Sequence, residues 1–191
     1  MRGRVRISAG IFILIPAALL LLPLRWVFGW LLAVSIHEFG HYIALHICKI
    51  PIYGLRLSPL GVQMETGDLQ GRETVLCALA GPLFALLFTV CSPVLPCTAV
   101  CILFQSLFNL LPIYPLDGGR ALRAILRRLL PYSWALSLEM GILILIACIL
   151  LQVFWILGID FVPTLLLLGI FAQKFLANCR QTGYNRGKYG F

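Results

Sequence analysis

Three chemically capable side chains sit within five residues: His37, Glu38 and His41, in the run Ser35-Ile36-His37-Glu38-Phe39-Gly40-His41-Tyr42. The pattern is H-E-x-x-H. On a helix, His37 and His41 lie about 40° from perfect alignment, so both imidazoles can reach one metal ion. Glu38 stands beside them and is placed to take a proton from an attacking water. His46 is nine residues beyond His37, on the opposite face, and is expected to be a surface histidine. Two imidazoles and a carboxylate within an apolar helix cost several kcal/mol unless they are paired or hydrated. Metal ligation provides that pairing, and zinc is the default ion for such ligands.

A catalytic zinc takes three protein ligands and leaves a fourth position open. The carboxylates available for the third are Glu65, Asp68, Glu73, Asp117, Glu139 and Asp160. Glu65, Asp68 and Glu73 fall in a polar loop, where solvation is the ordinary expectation. Glu139 opens a late apolar segment, and Asp160 lies at the far side of the expected topology. Asp117 stands in Asn109-Leu110-Leu111-Pro112-Ile113-Tyr114-Pro115-Leu116-Asp117-Gly118-Gly119-Arg120. Two prolines break the helix before it and two glycines free the backbone after it. Irregular backbone at membrane depth is tolerated where it lines a site. Asp117 is therefore the favoured third ligand. Its alternative role is a helix N-cap for Arg120–Leu130.

The segments that must position these residues are apolar. Hydrophobic residues make up 61% of the 191-residue chain and charged residues only 12%. A soluble domain of this size cannot hide that much apolar surface, and disorder needs the opposite composition. Six stretches approach the roughly 20 apolar residues of a membrane span: 7–24, 26–48, 74–92, 94–111, 134–157 and 159–177. The expectation is an all-α polytopic membrane protein of one embedded domain, 1–191. The first stretch is expected to be a retained helix, not a cleaved signal, because no small-x-small site follows it. The seven cysteines form no CxxC pair and mostly sit in apolar runs, so neither a disulfide framework nor a cysteine zinc site is expected.

The formal charge of +8 orients such a chain; it does not point to nucleic acid. With both termini in the cytoplasm, only Arg25 among the cations assigned to loops and ends falls outside. Counting from the Lys49 end of the second span, the H-E-x-x-H lies about 12–17 Å below the cytoplasmic surface. In 50–68, Leu55 and Leu57 alternate with Arg56 and Ser58, and Leu60, Val62 and Met64 alternate with Gly61, Gln63 and Glu65. Period-two alternation around Pro59 predicts a small β-hairpin near the cytoplasmic side of the site. In 120–130, Arg120, Arg123 and Arg127 share one helical face, which fits either an interfacial helix or arginines that anchor the flank of the next span.

The motifs H-E-F-G-H and N-x-x-P-x-x-P-L-D-G-G together resemble the site-2 protease family of intramembrane zinc metalloproteases. The likeness is nearest to the six-span bacterial branch containing the sporulation stage IV FB protease. It implies one zinc ion per chain bound by His37, His41 and Asp117, with Glu38 as general base. It also implies a role for Asn109 at the substrate or the transition state. The expected substrate is a membrane protein cut within or beside its transmembrane segment. The expected setting is the bacterial cytoplasmic membrane, with regulatory membrane partners and no nucleic acid. Gly81-Pro82 resembles a third-span motif that usually carries an Asn. Ala85 stands nearby instead, and no catalytic role is carried over. The sporulation branch usually ends in a CBS domain, which the stretch 178–191 is too short to form. A metal transporter and a non-catalytic helix-binding relative are the rival readings.

The charge distribution yields a test of orientation. In a cysteine-depleted background, cysteine placed at Gln70 or Gln181 is expected to resist a membrane-impermeant maleimide added to intact cells. Permeabilisation should expose both. Efficient labelling from outside would invert the topology.

Overall fold

The computed structural model describes residues 4–58, 61–67, 69, 71–91, 93–157 and 169. The chain divides into two compact units, Met1–Leu111 and Pro112–Phe191.

The first unit runs β1 (Arg4–Ile7), α1 (Ile11–Leu21), α2 (Leu24–Ile47), β2 (Ile52–Ser58), β3 (Gly61–Thr66), α3 (Arg72–Leu87) and α4 (Pro96–Asn109). A 3-10 turn, Phe88–Cys91, extends α3. Proline and backbone handedness set the limits. Pro23 immediately precedes α2, and Pro96 occupies the first turn of α4, where its missing N–H is harmless. Lys49, at φ 57°, turns the chain out of α2 towards the sheet. The α2, α3 and α4 helices pack around Ala33, Ala85 and Ile102, with Ile36 and Cys101 against them. Small residues let the backbones approach. A Cβ at Gly29 would lie 3.1 Å from Cys97 C and Thr98 N, so α2 and α4 nearly touch there.

The predicted hairpin is present as antiparallel β2–β3, but it belongs to a three-stranded sheet in the order β1-β2-β3. The β1 strand pairs parallel to β2. Residues 4–7 therefore form a strand just before the first expected span, whose helix is only the 11 residues of α1. The reason is visible in β1 itself. Arg4 and Arg6 alternate with Val5 and Ile7, and the registers place them beside matching faces of β2 and β3. One face carries Arg4, Arg6, Arg56, Gln63 and Glu65; the other carries Val5, Ile7, Leu55, Leu57, Val62 and Met64. On the polar face Glu65 lies 3.7 Å from both Arg6 and Arg56.

The second unit holds α5 (Asp117–Leu129) and α6 (Tyr132–Leu157). The α5 helix begins three residues earlier than predicted, because Leu116, extended at φ −64° and ψ 162°, is its N-cap. Arg120 and Arg127 are exposed as expected, but Arg123 is not. It is 6% exposed and paired with Glu139 of α6, itself 9% exposed. The purely interfacial reading of 120–130 fails at that residue, since a carboxylate on the next helix gives the guanidinium a buried partner.

Among the described residues one helical stretch, Arg72–Val90, is long and apolar enough to cross a membrane, with mean hydropathy 1.9. The α1 and α4 helices and the stretch Tyr132–Ile146 are apolar but shorter. Their outer surfaces are apolar too: Phe12, Ile13, Leu20, Leu21, Phe104 and Leu107 are all well exposed. The expected span 159–177 lies outside the described residues, apart from Gly169.

Candidate metal centre

His37 and His41 both project from α2, one turn apart, and the rings meet edge to face with centroids 4.8 Å apart. His37 is 3% exposed. The neighbouring helix α3 fixes His41. Its Nδ1 lies 2.7 Å from the Cys77 carbonyl oxygen, which can only accept, so Nδ1 carries the proton and donates. Nε2 then presents its lone pair, and it faces Nε2 of His37 at 3.1 Å. Two nitrogens bound tetrahedrally to zinc at about 2.0–2.1 Å would lie roughly 3.3 Å apart. The observed separation fits one ion between them with little adjustment. A backbone carbonyl behind a ligating imidazole is also the usual partner that sets its tautomer and raises its basicity.

This arrangement depends on α3 having no side chain where His41 lies. A Cβ at Gly81 would collide with His41 Nε2, and would come within 2.6 Å of Cε1. A Cβ at Gly40 would come within 2.7 Å of Phe84 Cβ and 2.8 Å of the Ala80 carbonyl oxygen. The two glycines bring α2 and α3 together at the level of the histidines. Neither glycine nor the Cys77 carbonyl was identified as a site group from the sequence. The available signal was the Gly81-Pro82 pair, whose use is steric.

Glu38 is half-buried on the same turn of α2. Its Oε1 faces the hairpin tip, 3.9 Å from the position of a Cβ at Gly61. Gly61 sits at φ 118°, a conformation closed to other residues, and its carbonyl oxygen accepts a hydrogen bond of 3.0 Å from Ser58 Oγ. The β3 end of the sheet therefore lies beside the carboxylate. His46 is exposed and stacks on Tyr42, away from the pair. Asn109 ends α4, and its Nδ2 donates to the Gln105 carbonyl oxygen at 3.1 Å.

In the second unit Asp117 is the first residue of α5 and is 7% exposed. Leu116, not Asp117, occupies the N-cap position, and Asp117 stands one residue inside the helix, so the N-cap alternative does not describe its place. Arg120 NH1 approaches its Oδ1 at 3.8 Å. The competing carboxylates are otherwise engaged or placed. Glu65 is shared by two arginines, Glu139 is bound to Arg123, and Glu73 is exposed in the first turn of α3. Asp68 and Asp160 lie outside the described residues.

No family model matches the sequence. Among curated proteins, the chain is 27% identical over 110 residues to the zinc metalloprotease MJ0392 of Methanocaldococcus jannaschii. The match covers 50% of this chain and 32% of that relative, so the chain spans about a third of the relative's length. Among solved structures it resembles the site-2 protease of the same organism, with a TM-score of 0.58 and 21% identity. That match covers 86% of this chain and 81% of the other. The chain has the site-2 protease fold.

Gly81→Ala isolates the steric requirement. The added methyl displaces the His41 ring, and zinc affinity is expected to fall by about 10–100-fold, the range seen when the support of a ligand is disturbed. Chelator competition on the purified protein measures it. An unchanged affinity would mean that the ring does not depend on the bare α3 backbone.

Proposed function

We propose that the chain is a zinc-dependent intramembrane endopeptidase of the site-2 protease type. It would cut a membrane protein within or next to its transmembrane segment, in the manner of regulated intramembrane proteolysis. The observation that carries this reading is the paired Nε2 atoms of His37 and His41, 3.1 Å apart, with His41 locked by Cys77. His37, His41 and Asp117 are the proposed ligands of one zinc ion per chain. Two imidazoles and a carboxylate, each offering one ligand atom, are a suitable donor set for it. The tight pairing of Glu139 with Arg123 at 2.6 Å supports Asp117 over that carboxylate. Zinc, when bound, supplies a Lewis acid for the scissile carbonyl and lowers the pKa of water towards neutrality. Glu38 accepts the proton of the attacking water at its carboxylate and delivers it to the leaving amine. Asn109 is proposed to contact the substrate or the transition state.

A peptide bond in an intact helix is shielded, so the substrate must unwind locally. The β3 strand is proposed to hold the unwound stretch by strand addition. It lies at the edge of the sheet, and its tip adjoins Glu38. Leu57 accepts from Ser8 on the β1 side, so Leu57 and Val62 form a non-hydrogen-bonded pair and the Val62 N–H points outward. Val62→Pro removes that outward donor without touching the hairpin ladder. Cleavage is expected to fall while zinc content stays unchanged; full activity would remove β3 from substrate binding.

We further propose six spans in a bacterial cytoplasmic membrane, both termini inside, nearest in kind to the sporulation stage IV FB branch. Regulatory membrane partners would fit that branch. The rival worth testing is a metal transporter, which needs the histidines but not Glu38. Glu38→Gln keeps size and shape but cannot accept the proton. Zinc should remain near one per chain, and cleavage of a model membrane substrate should drop by at least about 10²-fold. His41→Ala and Asp117→Ala should lose both, with zinc affinity reduced about 10-fold or more. A transporter would show the reverse, with metal flux indifferent to Glu38→Gln. Cleavage at the wild-type rate by the Glu38→Gln protein would sink the mechanism.

A further inference from the structure

The second unit buries a full ion pair beside the turn that carries Asp117. Glu139 Oε2 of α6 accepts from Arg123 Nε at 2.9 Å and from its NH2 at 2.6 Å. The same guanidinium lies over the ring of Tyr114, with Cζ 3.8 Å from the centroid. Burying two charges this way rarely adds stability over a well-packed apolar pair, so stability alone is a poor reason for it. What the guanidinium supplies is geometry: a flat face for the tyrosine and an edge for the carboxylate.

Tyr114 belongs to the turn 112–116, which folds back onto the start of α5. Leu116 N–H donates to the Ile113 carbonyl oxygen at 2.9 Å, and Arg120 N–H to that of Leu116 at 2.9 Å. The turn rests directly on Gly119, where a Cβ would collide with the Ile113 carbonyl and the Tyr114 nitrogen. Between the turn and α6 is a hollow lined by Pro112, Ile113, Tyr114, Gly119, Glu139 and Leu143. The Glu139–Arg123–Tyr114 chain runs beside this hollow and links the turn to α6.

We propose that Arg123 and Glu139 are positioning residues for Asp117, acting through Tyr114. The proposal rests on the reading of Asp117 as a zinc ligand. Asp117 follows Tyr114 by three residues, and ligand distances tolerate only about 0.2 Å. Loosening the turn should therefore weaken zinc binding.

The test measures zinc affinity by chelator competition on the full chain in detergent, with a thermal midpoint recorded beside it. Tyr114→Phe keeps the ring face and should bind zinc like the wild type. Tyr114→Leu and Arg123→Lys should each weaken binding by about 10–100-fold. Tyr114→Leu combined with Asp117→Ala should be no weaker than Asp117→Ala alone, since both act on the same ligand. Wild-type affinity in Tyr114→Leu and Arg123→Lys, even with a lowered midpoint, would reduce the pair to packing. Multiplying effects in the double variant would show that it does not act through Asp117. Wild-type affinity in Asp117→Ala would instead overturn the ligand assignment, and the positioning role with it. If Arg123→Lys does not fold, Tyr114→Leu decides.

Discussion

The close approach of α2 and α3 is the constraint on which the centre depends. Imidazoles inside an apolar helix pack are costly unless each nitrogen has a use. Here the α3 backbone supplies one use, the Cys77 carbonyl, and its bare Gly81 supplies the space. Gly40 makes the matching concession on α2. Backbone atoms have no rotamers, so the wall behind His41 is rigid, and the ring is held with its lone pair directed at His37. A side chain in place of either glycine would separate the helices and release the ring.

The second unit is held by a different kind of force. Its turn at 112–116 is shaped by prolines and by contact with Gly119, and a buried charge pair between α5 and α6 lies against its Tyr114. Charge pairs are directional where hydrophobic contacts are not. That difference gives the turn that precedes Asp117 a directional anchor.

The sheet links composition to placement. Its two faces differ sharply, arginines on one and aliphatic residues on the other. Adding β1 makes β2 the central strand, with both of its edges paired, and leaves β3 at an edge beside Glu38. A two-stranded hairpin alone is marginal in water; the third strand adds a second ladder to β2.

The sequence by itself determined the facing histidine pair and most of the helices. Four-residue spacing put His37 and His41 on one face whatever surrounds them, because helical periodicity is local. Alternation in 55–65 identified the hairpin for the same reason, and prolines marked the starts of α2 and α4. The tautomer of His41, the steric part of Gly81, the parallel strand 4–7 and the burial of Arg123 could not be read that way. Each is decided by a partner distant in the chain: Cys77 for His41, β2 for β1, Glu139 for Arg123. Arg123 shows the limit most clearly. Its helical face reads as solvent-exposed from Arg120 and Arg127, and only the carboxylate brought by α6, 16 residues on, makes burial of the guanidinium tolerable.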